Sequence, residues 1–222
     1  MRIPLYAIVL LLLVSCRNSN NSTSVEVPAS KSGTADTIAK PSNPSAGIPN
    51  ILQSIGDIKQ EYEYLALKLE NKSLDSTSFS YNCRDEKQGT VVYYFDNNAL
   101  KMIKHTYSEY SHFSATDSYF VKDSALFFVY YNRVSWSFDS QGKGTSDTKD
   151  NITENRFYII DNKPVKCLEK KFTVRSSDPD NTSSHNVGNK EVACSSIKPV
   201  LAKFQLLAKY KSQEKSLDCL EK

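Results

Sequence analysis

His105, Glu109, His112 and Asp117 form one local grouping of side chains suited to proton transfer or metal ligation. A histidine within hydrogen-bond reach of a carboxylate can serve as a general base held in place by its partner. On a strand, the period of two puts His105 and Glu109 on one face, and His112 on the other unless a turn intervenes. Ser108 and Ser111 lie among them, yet the chain contains no Gly-x-Ser-x-Gly nucleophile elbow. The expectation is a polar hairpin end between two strands, with hydrolysis through His105, Glu109 or His112 as the lesser alternative. His185 falls in a polar stretch and is expected to be solvated.

Ahead of these residues, Leu13-Val14-Ser15-Cys16 closes an apolar run that starts at Ile3 and follows Arg2. A dozen residues is signal-peptide length, short of the roughly 20 that span a bilayer. The string resembles the lipobox of bacterial lipoproteins, and specifically the small envelope lipoproteins without assigned activity. That resemblance implies removal of residues 1–15, acylation of Cys16 and attachment to the membrane through the N-terminal lipid. Arg17 stands where some inner-membrane lipoproteins carry a retention Asp, so the resemblance favours an outer-membrane protein facing the periplasm, with surface exposure as the alternative. Asp36-Thr37-Ile38, Asp75-Ser76-Thr77 and Asp123-Ser124-Ala125 resemble the short acceptor of some Gram-negative O-glycosylation systems, with Thr37 and Ser76 as the acceptors singled out.

With Cys16 lipidated, Cys83, Cys167, Cys194 and Cys219 remain, an even number in an oxidising compartment. Two disulfides are expected. A Cys194–Cys219 bridge would need the tail Gln213–Cys219 laid straight back along an intervening helix of about 24 Å, and ranks last. Cys83–Cys194 with Cys167–Cys219 and Cys83–Cys219 with Cys167–Cys194 both stay open. The cysteines show no Cys-x-x-Cys and the histidines no paired spacing, so neither a metal site nor a cofactor is expected.

The elements that would position these groups start after a tether. Residues 16–48 are rich in Ser, Asn, Thr and Pro, too poor in apolar area to offset the entropy of ordering them. Such a chain reaches on the order of 30 Å. Residues 49–222 are read as one α+β domain. Ile55, Ile58, Tyr62, Leu65 and Leu69 recur at helical spacing within a helix over 50–70 that stops at Asn71. A second stripe runs from Ile197 through Val200, Phe204 and Leu207, with Ser196 as cap and Pro199 in the first turn.

Between the helices the period changes. Tyr93-Tyr94-Phe95, Tyr119-Phe120 and Phe157-Tyr158 each precede a polar turn and a further apolar run, starting at Leu100, Leu126 and Val165. The turns, Asp96-Asn97-Asn98, Lys122-Asp123-Ser124 and Asp161-Asn162-Lys163, hold residues that tolerate tight geometry. Three hairpins in series predict an antiparallel meander of about six strands, with polar loops near 139–154 and 176–190. Along the strand at 126–138, alternation places Leu126, Phe128, Tyr130 and Trp136 on one face and Phe127, Val129 and Tyr131 on the other.

Net charge is +3 from 28 basic and 25 acidic residues, interspersed, and the seven glycines form no phosphate loop, so nucleic acid is not an expected partner. Lys163, Lys166, Lys170, Lys171 and Arg175 fit a charged edge strand. Thirteen Tyr and ten Phe are more than one sheet face needs, and covering of the second face by a helix is the simpler account. Should a binding face exist, Tyr93, Tyr107, Tyr110, Tyr119 and Tyr131 are the residues expected on it. The reading that results is a membrane-anchored, non-catalytic module for an envelope protein or a glycan. An inhibitor or accessory factor of an envelope hydrolase, acting through a projecting loop, is the alternative.

Overall fold

The computed structural model describes residues 50–142, 144–178, 183–194 and 197–210. The lipobox, Cys16, the tether with Thr37, Ser196 and Cys219 lie outside the described residues. The first helix, α1, spans Ile55–Glu70. It begins later than residue 50 because Ser54 and Asp57 form a reciprocal capping box. The Asp57 N–H donates to the Ser54 hydroxyl, and the Ser54 N–H donates to the Asp57 carboxylate. Asn71 is its C-cap, where the apolar stripe ends.

Eight strands follow: β1 (Asp75–Cys83), β2 (Lys87–Asp96), β3 (Ala99–Glu109), β4 (Phe113–Lys122), β5 (Ala125–Phe138), β6 (Thr148–Ile160), β7 (Lys163–Arg175) and β8 (Lys190–Glu191). They form one antiparallel sheet in sequence order. The fold is α+β with a meander, but with eight strands instead of about six. The expected six are β2–β7. The two additions are the edges: β1 alternates Phe79, Tyr81 and Cys83 with a serine-rich wet face, and β8 has only two residues. The polar stretch at 139–154 is a loop only to Asp147, since Thr148–Ile160 pairs with β5 throughout that strand's second half. The stretch at 176–190 contains a 3-10 turn, Ser184–Asn186, and ends in β8.

The three predicted hairpins share one geometry. Asn97-Asn98, Asp123-Ser124 and Asp161-Asn162 all have positive φ. Two left-handed residues in succession give a turn whose twist matches that of the strands. One residue past each turn is left out of the pairing: Lys101, Phe127 and Val165. Such a bulge re-phases the strand. It overturns the simple alternation along β5, because Leu126 packs with Val129 and Tyr131 while Phe127 packs with Phe128. It also moves the third apolar run, since Val165 is the bulge residue and is 46% exposed.

Among the described residues, each face of the sheet has one helix. On one face, Ile58 and Leu65 of α1 pack on Met102, Phe120, Phe128 and Tyr158. Burying such aliphatic side chains contributes about 2 kcal/mol apiece. Glu61 pairs with Lys122 of β4 at 2.6 Å, and Lys68 pairs with Asp96 of β2. Seven helical residues rise about 10 Å and two strand spacings measure about the same, so α1 runs across the strands near the bulged turns. On the other face lies α2 (Lys198–Lys209), with Pro199 in its first turn and Ile197, not a polar side chain, at its N-cap. Its Phe204 stacks on Tyr119 of β4, and the Leu207 carbonyl accepts from the Tyr93 hydroxyl of β2. Among the described residues, no helix is long and apolar enough to cross a membrane.

Cys167 of β7 is bonded to Cys194, just ahead of α2. This bond belongs to one of the two pairings left open by the sequence and excludes Cys167–Cys219; the other half of that pairing falls on Cys219, outside the described residues. Cys83 is also disulfide-bonded, to a partner outside the described residues. The Cys167–Cys194 bond closes a sequence separation of 27 residues and fixes where the chain begins its return across the sheet. By loop-closure entropy it contributes about 3.5 kcal/mol. Replacing both cysteines by serine should therefore lower the urea midpoint by the equivalent of about 3 kcal/mol. An unchanged midpoint in equilibrium unfolding would show that α2 docks without it.

Candidate functional site

The four residues of the sequence-level grouping are divided among three environments. His105 and Asp117 are paired positions on β3 and β4 and point into the α2-facing core, with relative exposures of 0% and 2%. Glu109 pairs with Lys87 at 2.9 Å near the end of β3. His112 lies past the turn and packs its ring 4.2 Å from Trp136.

Tyr81 on β1 reaches His105 by passing over Gly89 of β2. The Tyr81 hydroxyl lies 2.7 Å from His105 Nε2, and a Cβ on Gly89 would stand 2.7 Å from that hydroxyl and 2.8 Å from Tyr107 Cβ. Glycine is what that crossing demands. Tyr107 stacks on the other side of His105, with ring centroids 4.5 Å apart. Asp117 faces Arg133 of β5, whose Nη2 stands 3.5 Å from Oδ2, while the guanidinium lies over the Tyr131 ring. Asp117 Oδ1 and Arg133 Nε have no hydrogen-bond partner among the described residues. Burial pushes the Asp117 carboxyl above its ordinary range, an effect that Arg133 and Lys203 offset only in part. Tyr119 and Tyr131 share a hydroxyl contact at 3.2 Å; burial raises both, Tyr131 to about 12.

These are buried, mutually packed polar groups, and they account for the aromatic surplus. Of the five tyrosines expected on a binding face, Tyr93, Tyr119 and Tyr131 are core and Tyr107 is half-buried against His105. Only Tyr110 is exposed, at 71%, on the β3–β4 turn. The correction has a simple cause: a helix covers that face, and each core hydroxyl has a partner within the fold. A second polar network is closed as well. Glu154 accepts from Ser184 at 2.6 Å and from Arg156 at 2.9 Å, and Lys170 donates to the Ser184 carbonyl. Burial alone would raise the Glu154 carboxyl, but Ser184, Arg156 and Lys170 outweigh it and hold it low. Further basic residues of β7 are paired in turn, Lys171 to Glu169, Lys166 to Glu191 and Arg175 to Asp139.

The open surface is elsewhere. Burial along β5 falls from Leu126–Val129, all buried, to an exposed Ser135 and Phe138, the latter 66% exposed. Beyond the helices the sheet carries an aromatic end: His112 against Trp136, Phe138 edge-on to Trp136, and an exposed Tyr110 on the same turn as His112. The Trp136 indole N–H donates to the Ser111 carbonyl, and the Tyr110 N–H to the Glu86 carbonyl, which bind these turns together. Next to Trp136, on the same face as α1 but past it, the register aligns two uncharged rows. One is Ser80, Thr90, Thr106, Thr116 and Asn132; the other is Asn82, Gln88, Ser108 and Ser114. Hydroxyl contacts of 2.8 Å (Ser80 to Thr90) and 3.5 Å (Thr106 to Thr116) confirm the shared face. Sequence reasoning missed this surface because short hydroxyl residues in separate strands become a row only once the register is known. At the opposite end, a shallow cavity of about 420 Å³ lies between α2 and the bulged turns, with Leu100, Val121 and Phe204 in its wall. Ser76 is the second residue of β1 and is exposed, and Ser124 occupies a left-handed turn position. His185 is exposed in the 3-10 turn.

The raised Asp117 carboxyl has a measurable consequence. A group whose folded value lies above its unfolded value stabilises the fold most when protonated, and that contribution is lost as pH rises through the folded value. The difference in melting temperature between the native protein and Asp117→Asn should therefore grow in favour of the variant as pH climbs from below 4 toward neutral. A difference that stays flat with pH would show that Asp117 is not displaced upward.

Comparison of the chain with protein-family models, with curated proteins and with solved structures gave no match in any of the three.

Proposed function

We propose that this chain is a lipid-anchored, non-catalytic binding module of a bacterial cell envelope. Its contact surface is the half of the sheet that projects past the two helices. The observation that carries the reading is the pairing of opposites. The histidine and carboxylate suited to chemistry are sealed at 0% and 2% exposure, while the aromatic end of the same sheet presents Tyr110 and Phe138 at 71% and 66%. Large apolar residues grouped in the open are the common mark of an interaction surface. The lipobox resemblance at Leu13–Cys16 supports the membrane address, and the composition of 16–48 supports a tether that lets the domain stand clear of the headgroups. The periplasmic leaflet of the outer membrane is the proposed location.

Two experiments in the native bacterium test the address and the contact surface separately. The wild-type chain should take up an alkyne-palmitate label and sediment with membranes, and Cys16→Ser should lose both properties. In the same material, non-reducing peptide mapping should link the Cys83 peptide to the one containing Cys219. A Cys83–Cys16 link would rule out acylation of the thiol. A photo-crosslinking side chain at position 138 should give adducts that the same group at position 162, on a turn at the other end, does not. Equal labelling at both positions, or none, would remove the proposed contact surface.

A further inference from the structure

We infer that the projecting face binds an uncharged oligosaccharide, laid across the two hydroxyl and amide rows and stacked against the Trp136–His112 pair. This rests on the binding-module reading and names the ligand class. The argument is one of complementarity. Across five strands, the two rows present donors and acceptors with no charged side chain among them. The charges nearby are placed around the rows: Lys104 belongs to the next row toward α1, Asp85 caps Asn82 at the β1–β2 turn, Asp150 pairs with Trp136 on the β6 side, and Glu154 is enclosed in its own network. A polyanion such as nucleic acid or an anionic lipid surface would find no cationic array on this face. An apolar helix would find hydroxyls in place of a groove.

A neutral sugar matches on both counts. Its hydroxyls are donors and acceptors in one, as are those of Ser and Thr, and the planar amides of Gln88 and Asn132 can meet two of them at once, while Asn82 is held by Asp85 at the margin of the shorter row. The apolar face of a pyranose ring needs an aromatic surface beside those groups. Trp136 supplies it on the same strand face, with its indole N–H already directed to the Ser111 carbonyl so that the ring plane is held. Strands stand about 4.8 Å apart, which makes the longer row about 19 Å from β1 to β5. That length suits a chain of several sugar rings.

The test is affinity electrophoresis of the purified full chain in gels cast with laminarin, galactomannan or dextran. Migration should be retarded in at least one of them. Thr106→Lys, which puts a charge on an exposed position at the centre of the longer row, should weaken retention about tenfold, equivalent to about 1.4 kcal/mol. Trp136→Ala should do the same. Because Trp136 also packs within the tip, the surface substitution Thr106→Lys keeps the test decisive if the tryptophan variant unfolds by circular dichroism. Ser135→Lys, exposed on the opposite face, should migrate as wild type. No retardation in any of the three gels, or retardation that Ser135→Lys abolishes and Thr106→Lys leaves intact, would overturn the proposal. Absence of retardation together with position-138 crosslinks to an envelope protein would also overturn it, while leaving the binding-module reading in place.

Discussion

The strands of this sheet are longer than the cover available to them. β5, β6 and β7 hold 14, 13 and 13 residues, and a strand of that length extends about 45 Å. α1 lies across the strands and a helix with its side chains is only about 10 Å wide, while α2 has only 12 residues, about 18 Å of helix. Among the described residues, one helix per face therefore covers one part of the sheet and leaves the remainder open on both sides. The helices are held at the end with the bulged turns by Glu61 on Lys122, Lys68 on Asp96 and the Leu207 carbonyl on Tyr93. Breaking a buried ion pair such as Glu61–Lys122 by removing one partner leaves an uncompensated charge, typically a loss of about 3–5 kcal/mol. The position of the cover is consequently well defined, and so is the position of the uncovered half.

The same constraint explains where the tyrosines went. A face clad by α2 has no use for exposed aromatics, but a tyrosine in that core needs somewhere to put its hydroxyl. Tyr81 finds His105, Tyr93 finds the Leu207 carbonyl, and Tyr119 and Tyr131 find each other. These pairings tie β1 to β3, β2 to α2 and β4 to β5. A Tyr-rich core thus does with directional bonds what an aliphatic core does by shape alone, and it fixes which strands are neighbours. Placing the tyrosines from composition alone fails because a satisfied core hydroxyl and a solvated one look the same in sequence.

What was legible in the sequence was whatever depended on neighbours in the chain. The turns Asn97-Asn98, Asp123-Ser124 and Asp161-Asn162 were readable because those residues accept positive φ, and all three do so. The helical stripes of α1 and α2 were readable because burial imposes the period. The shift after each turn was not, since nothing about Lys101, Phe127 or Val165 as residue types marks them as unpaired. β1 went unassigned and the first half of β6 read as loop because solvent on the exposed side of the sheet removes the hydrophobicity by which strands are recognised. Of the site, the grouping of His105 with Asp117 survived as a cross-strand pair, but its burial could not be foreseen without knowing what covered it.

Register links the buried face to the open one. Strands that are polar on both sides slip readily, and a slip of one residue exchanges the faces. The rows from Ser80 to Asn132 and from Asn82 to Ser114 hold few features that would resist such a slip. The resistance comes from the opposite side of the same strands. Tyr81 can reach His105 only over Gly89, where a Cβ would stand 2.7 Å from the Thr106 carbonyl oxygen as well as from the Tyr81 hydroxyl. At the helix-covered end, each bulge and left-handed turn sets the count of residues between partners. An uncharged, hydrogen-bonding face can therefore be presented in a fixed array because none of its own side chains has to define that array. Substitutions along it are free to change its chemistry with little effect on how it folds, which is the property a ligand-binding surface requires.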